Sequence, residues 1–162
     1  MSKKILRTIL ILSICVVFTP FAWAGDDDTT AKNRALCETK TTKLPHGHSV
    51  ACFKMGERYR VVERDNKTAI EFFRKACEAD YMTGCLFGGN LLFMAGTHGS
   101  AKWKEAKKMH QKSCDADEDG SCYMLGQITY KEGRQKKAIK YYKQACKMGN
   151  QGGCAKAKRL KR

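Results

Sequence analysis

Nine cysteines, four histidines and a few serines carry whatever covalent or metal chemistry this chain of 162 residues can perform. Six of the cysteines fall in pairs eight apart: Cys77 and Cys85, Cys114 and Cys122, Cys146 and Cys154. That spacing is too wide for a redox-active Cys-x-x-Cys. It is also wider than the Cys-x2-4-Cys of thiolate zinc sites, the rival reading of these residues. The histidines do no better as ligands, because no carboxylate at useful spacing completes a set with His46-x-His48, His98 or His110, and a solvated loop is the expected setting of the first two. A serine acylation mechanism needs a basic residue one helical turn after its nucleophile. Ser49, Ser100, Ser113 and Ser121 all lack a Lys three residues on, and Thr29-x-x-Lys32 lies in a polar amino-terminal stretch. Asp115, Asp117, Glu118 and Asp119 resemble part of a calcium loop without its downstream bidentate Glu. Gly149, Gly152 and Gly153 lack the Lys-Ser or Lys-Thr of a phosphate cradle. No catalytic residue, metal or cofactor is therefore expected, and an enzyme is disfavoured.

The elements that position these residues begin after an address. Met1 to Ala24 reads as a secretory signal, with basic Lys3, Lys4 and Arg7, an apolar stretch from Ile9 to Phe18, Pro20, and Ala22-Trp23-Ala24 as the cleavage site. A single membrane anchor fits less well, because the run is short and Gly25-Asp26-Asp27-Asp28 follows at once. Lipidation at Cys15 is opposed by bulky Ile14 before it. Cleavage after Ala24 would leave 138 residues, a charge of +12 and eight cysteines. An even number in an exported protein implies a disulfide framework, in principle any of 105 connectivities. Residues 25–36 are expected to be polar and flexible, and 37–162 to form one domain.

That domain is repetitive. Ala69-x2-Phe72-Phe73-x2-Ala76-Cys77, Ala106-x2-Met109-His110-x2-Ser113-Cys114 and Ala138-x2-Tyr141-Tyr142-x2-Ala145-Cys146 are parallel segments, and Cys52, Cys85 and Cys122 are each followed by a Gly four residues on. Positions i, i+3 and i+7 share one face of a helix. Each repeat is thus a helix A that starts at the leading Cys, a turn, and a helix B. Turns are expected at Arg64-Asp65-Asn66, Gly96 to Ser100, Glu132-Gly133 and Gly149 to Gly153. No alternating β-branched run argues for strands.

The pattern Cys-x3-Gly, then Ala-x2-aromatic-aromatic-x2-Ala-Cys, resembles the Sel-one-like repeat, a relative of the tetratricopeptide repeat, over Cys52 to Cys154. With its cysteines it looks like the Helicobacter cysteine-rich protein family. The resemblance implies an all-α solenoid of α/α helical hairpins with one disulfide per repeat. In such hairpins the two cysteines face each other across a turn. The expected pairs are Cys77 with Cys85, Cys114 with Cys122, Cys146 with Cys154, and Cys37 with Cys52. The middle repeat is longer around Thr97 to Trp103. Cys154 is followed by Lys158 where its counterparts have Gly, which suits a capping helix over about 151–162. The family's β-lactamase and penicillin-binding label finds none of its motifs here.

Function is then expected at the surface. Helices A of such solenoids line the concave side used to bind peptides or protein edges. The position five after each leading Cys is Glu57, Asn90, Gln127 and Arg159, a candidate binding lane. Trp103 is a candidate anchor, with packing of the long loop as its alternative role. Lys131 to Arg162 holds twelve basic residues against Glu132, a net charge of +11, within a total of +15. Lys156, Lys158, Lys161 and Arg162 are candidate contacts for an acidic protein face or anionic envelope lipid. Export and the lack of base-reading motifs argue against nucleic acid. These features imply a periplasmic or secreted monomer that serves as a non-enzymatic protein interaction module of the bacterial envelope. The alternatives are an immunity protein against a secreted toxin and a weak β-lactamase or penicillin-binding protein.

Overall fold

The computed structural model describes residues 28–39 and 45–161. The leader expected at 1–24, including Cys15, lies outside the described residues, as do Arg162 and the side chains of Pro45 and His46. Among the described residues there are eight helices and no strand: α1 (Asp28–Glu38), α2 (Pro45–Val61), α3 (Asn66–Glu78), α4 (Met82–Ala95), α5 (Ala101–Asp115), α6 (Asp119–Lys131), α7 (Gln135–Lys147) and α8 (Gln151–Arg159). The expected turns fall between these helices. Helices α2, α4, α6 and α8 are the A helices, α3, α5 and α7 the B helices, and each packs chiefly on its neighbours in the chain. The molecule is an all-α solenoid of helical hairpins.

Part of the stretch expected to be polar and flexible is helical, from Asp28 on, with Thr30 and Cys37 buried. Cys37 is joined to Cys52, and the Arg34 guanidinium donates to the Tyr59 hydroxyl at 3.1 Å, so a covalent tie and a polar contact hold a helix whose own apolar face is weak.

Each A and B helix meet through one device. Phe73 of α3, His110 of α5 and Tyr142 of α7 lay their rings against Gly56, Gly89 and Gly126, where a Cβ would stand within 2.5–2.8 Å of a ring atom. Glycine is required there by the closeness of the approach. The B helix buries the residues that recur at helical spacing, in α3 Ala69, Phe72, Phe73, Ala76 and Cys77.

The four disulfides have the expected pairing, and each links two neighbouring helices: Cys37–Cys52, Cys77–Cys85, Cys114–Cys122 and Cys146–Cys154, with Cα–Cα distances of 4.8, 4.6, 4.7 and 4.6 Å. They tie α1 to α2, α3 to α4, α5 to α6 and α7 to α8. The hairpins α2–α3, α4–α5 and α6–α7 have no disulfide and are held by non-covalent contacts. The last three stapled turns share one backbone path. Residue three after the first Cys has a positive φ, at Asp80 (59°), Asp117 (62°) and Gly149 (96°). The next amide donates five residues back, from Tyr81 to Ala76, Glu118 to Ser113 and Asn150 to Ala145. This Schellman-type ending brings the second Cys over the first.

The extra residues of the middle repeat extend the turn between α4 and α5, which closes on Ser100. The Ser100 hydroxyl accepts from the Trp103 amide at 3.2 Å and starts α5.

Candidate functional site

Glu57, Asn90 and Gln127 occupy equivalent places on α2, α4 and α6 and are half-buried, whereas Arg159 on α8 is exposed. Their surroundings are built by the aromatic residues of the same helices. Phe53 lies 5.6 Å from Phe73, 5.0 Å from Tyr81 and 5.6 Å from Phe87. The Arg60 guanidinium stands 5.5 Å over the Phe87 ring and forms a two-pronged pair with Glu57, both contacts at 2.9 Å. Hydrogen bonding to Glu57 raises the Arg60 pKa. One helix on, the Asn90 amide oxygen is buried and accepts no hydrogen bond from any side chain or backbone group. An acceptor in that state carries a desolvation cost of about 1–3 kcal/mol. The lane thus runs from a paired carboxylate through an unsatisfied amide to a free guanidinium.

Trp103 is not an exposed anchor. It is 4% exposed, with its ring 4.9 Å from Phe93 and 5.2 Å from His98, and the Lys131 ammonium 5.9 Å over it. Its indole faces Glu132. Burial there opposes ionisation of the Glu132 carboxylate, but the hydrogen bond from Lys107 and the nearby Trp103 and Arg134 outweigh it and lower the pKa. Trp103 fastens the long turn, so the packing role is the one the structure supports.

Lys158 is exposed and Lys156 half-buried on α8, and Lys161 is exposed just past its end. They are joined by a set that the motif search overlooked. Lys136, Lys140, Lys143 and Lys147 recur along one exposed face of α7 at four, three and four residues. Their helical spacing was the signal that would have found them. Among the described residues none of these four lysines has a carboxylate within ion-pair distance, whereas elsewhere Arg58, Arg60, Arg74, Lys107 and Lys112 all do.

Among the residues of catalytic type, His98 is exposed, His48 and Ser100 are half-buried, and a cluster of three is enclosed. His110, Ser113 and Ser121 are fully buried at the joint between α5 and α6. His110 Nδ1 lies 3.4 Å from Ser121 Oγ, and the Ser113 hydroxyl donates to the Met82 carbonyl at 3.1 Å. Burial pushes the His110 pKa down to about 4, only partly offset by a contact with the Gly89 backbone. All eight described cysteines are in disulfides, which removes them as thiolate ligands. No group of three or more His, Cys, Asp or Glu suited to a metal occurs among the described residues. The acidic run at 115–119 forms the α5–α6 turn, where Asp119 accepts from the Asn150 amide at 2.9 Å.

The Sel1 repeat family model matches residues 49–81 and 120–150, which are the hairpins α2–α3 and α6–α7. No curated protein matches the chain in sequence. A Sel1 repeat protein from Oxalobacter formigenes is similar in structure, with a TM-score of 0.58 at 18% identity, over 82% of this chain and 96% of that one. Helicobacter pylori cysteine rich protein B is similar with a TM-score of 0.53 at 20% identity, over 79% and 93%. The chain therefore carries Sel1 repeats in a shared fold, and such repeats are generally protein–protein interaction modules. Both matched segments start and end at stapled turns, so each disulfide joins the end of one repeat to the start of the next.

Proposed function

We propose that this array of Sel1 repeats is an exported, non-enzymatic, monomeric interaction module of the bacterial cell envelope, which takes a protein partner along Glu57, Asn90, Gln127 and Arg159. The observation that carries the lane is the buried, unsatisfied amide oxygen of Asn90 within a row that is polar in every repeat. Rotation of the half-buried Asn90 side chain would bring this oxygen to a partner's N–H, which returns the desolvation cost as binding energy. Export is supported by four disulfides, which persist in oxidising compartments, and by the leader-like composition of 1–24.

The test is capture of a partner from envelope extract by the oxidised protein and by a Glu57→Ala, Asn90→Ala, Gln127→Ala variant. Loss of a specific partner with the variant alone supports the lane. Equal capture by both proteins removes it.

A further inference from the structure

The last repeat ends on a position that the earlier repeats fill with a neighbour. Arg74 of α3, Gln111 of α5 and Lys143 of α7 are equivalent, each five residues after the Ala that opens its repeat's packing motif. The first two reach across to the following B helix. Arg74 donates to Glu105 at 2.7 Å, and Gln111 accepts from the Tyr141 hydroxyl at 2.8 Å. Among the described residues no following B helix stands before Lys143. Tyr141 points back to α5, and two residues on, about 200° around the helix, Lys143 points away from it.

The cleft at this end has the same construction with its far wall missing. Between α3 and α5 a pocket of about 300 Å³ is lined by Arg74, Cys77 and Glu78 on one side and by Glu105, Lys108, Met109 and Lys112 on the other. At the end of the chain a cleft of about 430 Å³ is lined by Lys143, Cys146, Ala157, Lys158 and Lys161. Lys143 and Cys146 stand where Arg74 and Cys77 stand. The wall that supplied a carboxylate and, four residues later, an apolar side chain is absent. Lys158 occupies the place of Gly56, Gly89 and Gly126, so an aromatic ring of a further repeat has no seat there.

We infer that this cleft is a second docking site, which receives an acidic helical segment of a partner protein, its carboxylate on Lys143 as Glu105 is on Arg74 and an apolar residue one turn on over Cys146 and Ala157. Lys143, Lys158 and Lys161 line the cleft and, among the described residues, none has a carboxylate within ion-pair distance, so the cleft offers its charge to an acidic partner. A membrane is the less suitable partner, because the large exposed apolar residues are Val61, Val62, Met94 and Tyr130, none of them on α7 or α8. The site extends the interaction-module reading to a different surface and does not depend on the lane.

The probe is a fluorescein-labelled helical peptide of about fifteen residues with Glu and Leu alternating at i, i+4 spacing, titrated by anisotropy against the oxidised protein. Binding is expected to weaken by roughly tenfold or more with Lys143→Glu, Lys158→Glu, and with a peptide in which Gln replaces Glu. A Lys67→Glu, Lys104→Glu control of equal charge is expected to change it by less than about threefold. In the unaltered protein, the amide signals of Cys146, Ala157 and Lys161 should shift on titration. Equal weakening in both double variants would reduce the effect to net charge and overturn the site. So would the absence of peptide binding, or binding only to vesicles containing phosphatidylglycerol. A lane variant that binds the peptide normally while losing its envelope partner would separate the two surfaces.

Discussion

At the scale of single residues, the same position serves different ends in different repeats. Gly149 and Gly126 show two separate reasons for glycine. At Gly149 an added Cβ would meet nothing within 4 Å, but φ is 96°, so Gly149→Ala is expected to cost about 1–2 kcal/mol through the backbone alone. At Gly126 the Cβ would stand 2.5 Å from the Tyr142 ring, and Gly126→Ala should cost about 1–3 kcal/mol by overpacking. Urea unfolding of both variants checks the pair, and in a Tyr142→Ala background Gly126→Ala should cost less while the cost of Gly149→Ala stays the same. His110 is the position where the ring is ionisable. Because its folded pKa, about 4, lies below the ordinary 6.5, the unfolded chain takes up the proton first. Stability is then unaffected above pH 6.5, is lost as pH falls from 6.5 through about 4, and totals a loss of about 3 kcal/mol. His110→Phe, which restores the ring type of Phe73, should flatten that part of the stability curve. The cysteine spacing and the Gly–ring partners were legible in the sequence, since both are fixed by chemistry at one position. The burial of Trp103 was not legible, because an aromatic beside two lysines reads alike whether its ring faces a partner or the loop it closes.

At the scale of elements, the family model covers the first and third hairpins and omits α4–α5. That hairpin departs in its residues: a longer turn, His110 for an aromatic, and Ser113 for the Ala found at Ala76 and Ala145. The fold nevertheless persists there because the ring still seats on a glycine and Trp103 closes the added turn. Trp103→Ala should therefore cost about 3–5 kcal/mol, with the fastest gain in amide exchange over 96–104. Helix α1 was missed for the converse reason. Its sequence is polar and its stability comes from Cys37, Arg34 and Thr30 acting on α2, contacts that no local pattern announces. The lane positions were readable from the repeat register, and Glu57–Arg60 is an i, i+3 pair within α2, but the unsatisfied Asn90 oxygen depends on which groups the neighbouring helices bring beside it.

For the whole molecule, the alternation of covalent and non-covalent junctions decides how the chain comes apart. The Cys146–Cys154 staple is the one whose two residues are both half-exposed, and the six cysteines of the other three staples are buried. Limited thiol treatment should open it first, and mass mapping of alkylated peptides would show Cys146 and Cys154 labelled ahead of the rest. A solenoid loses terminal repeats without collapse of its centre, so this species should retain helicity over α1 to α6. The same alternation has a mechanical meaning. If the oxidised protein were held at its ends and stretched, each staple would withhold the eight or fifteen residues it encloses from the extensible contour. Only the hairpins α2–α3, α4–α5 and α6–α7 would remain to yield. Each spans roughly 25 residues between staples, or on the order of 85 Å of extended chain. A force–extension trace should show three discrete lengthening steps of that size, and a molecule so built would act under load as a tether with three fixed stops.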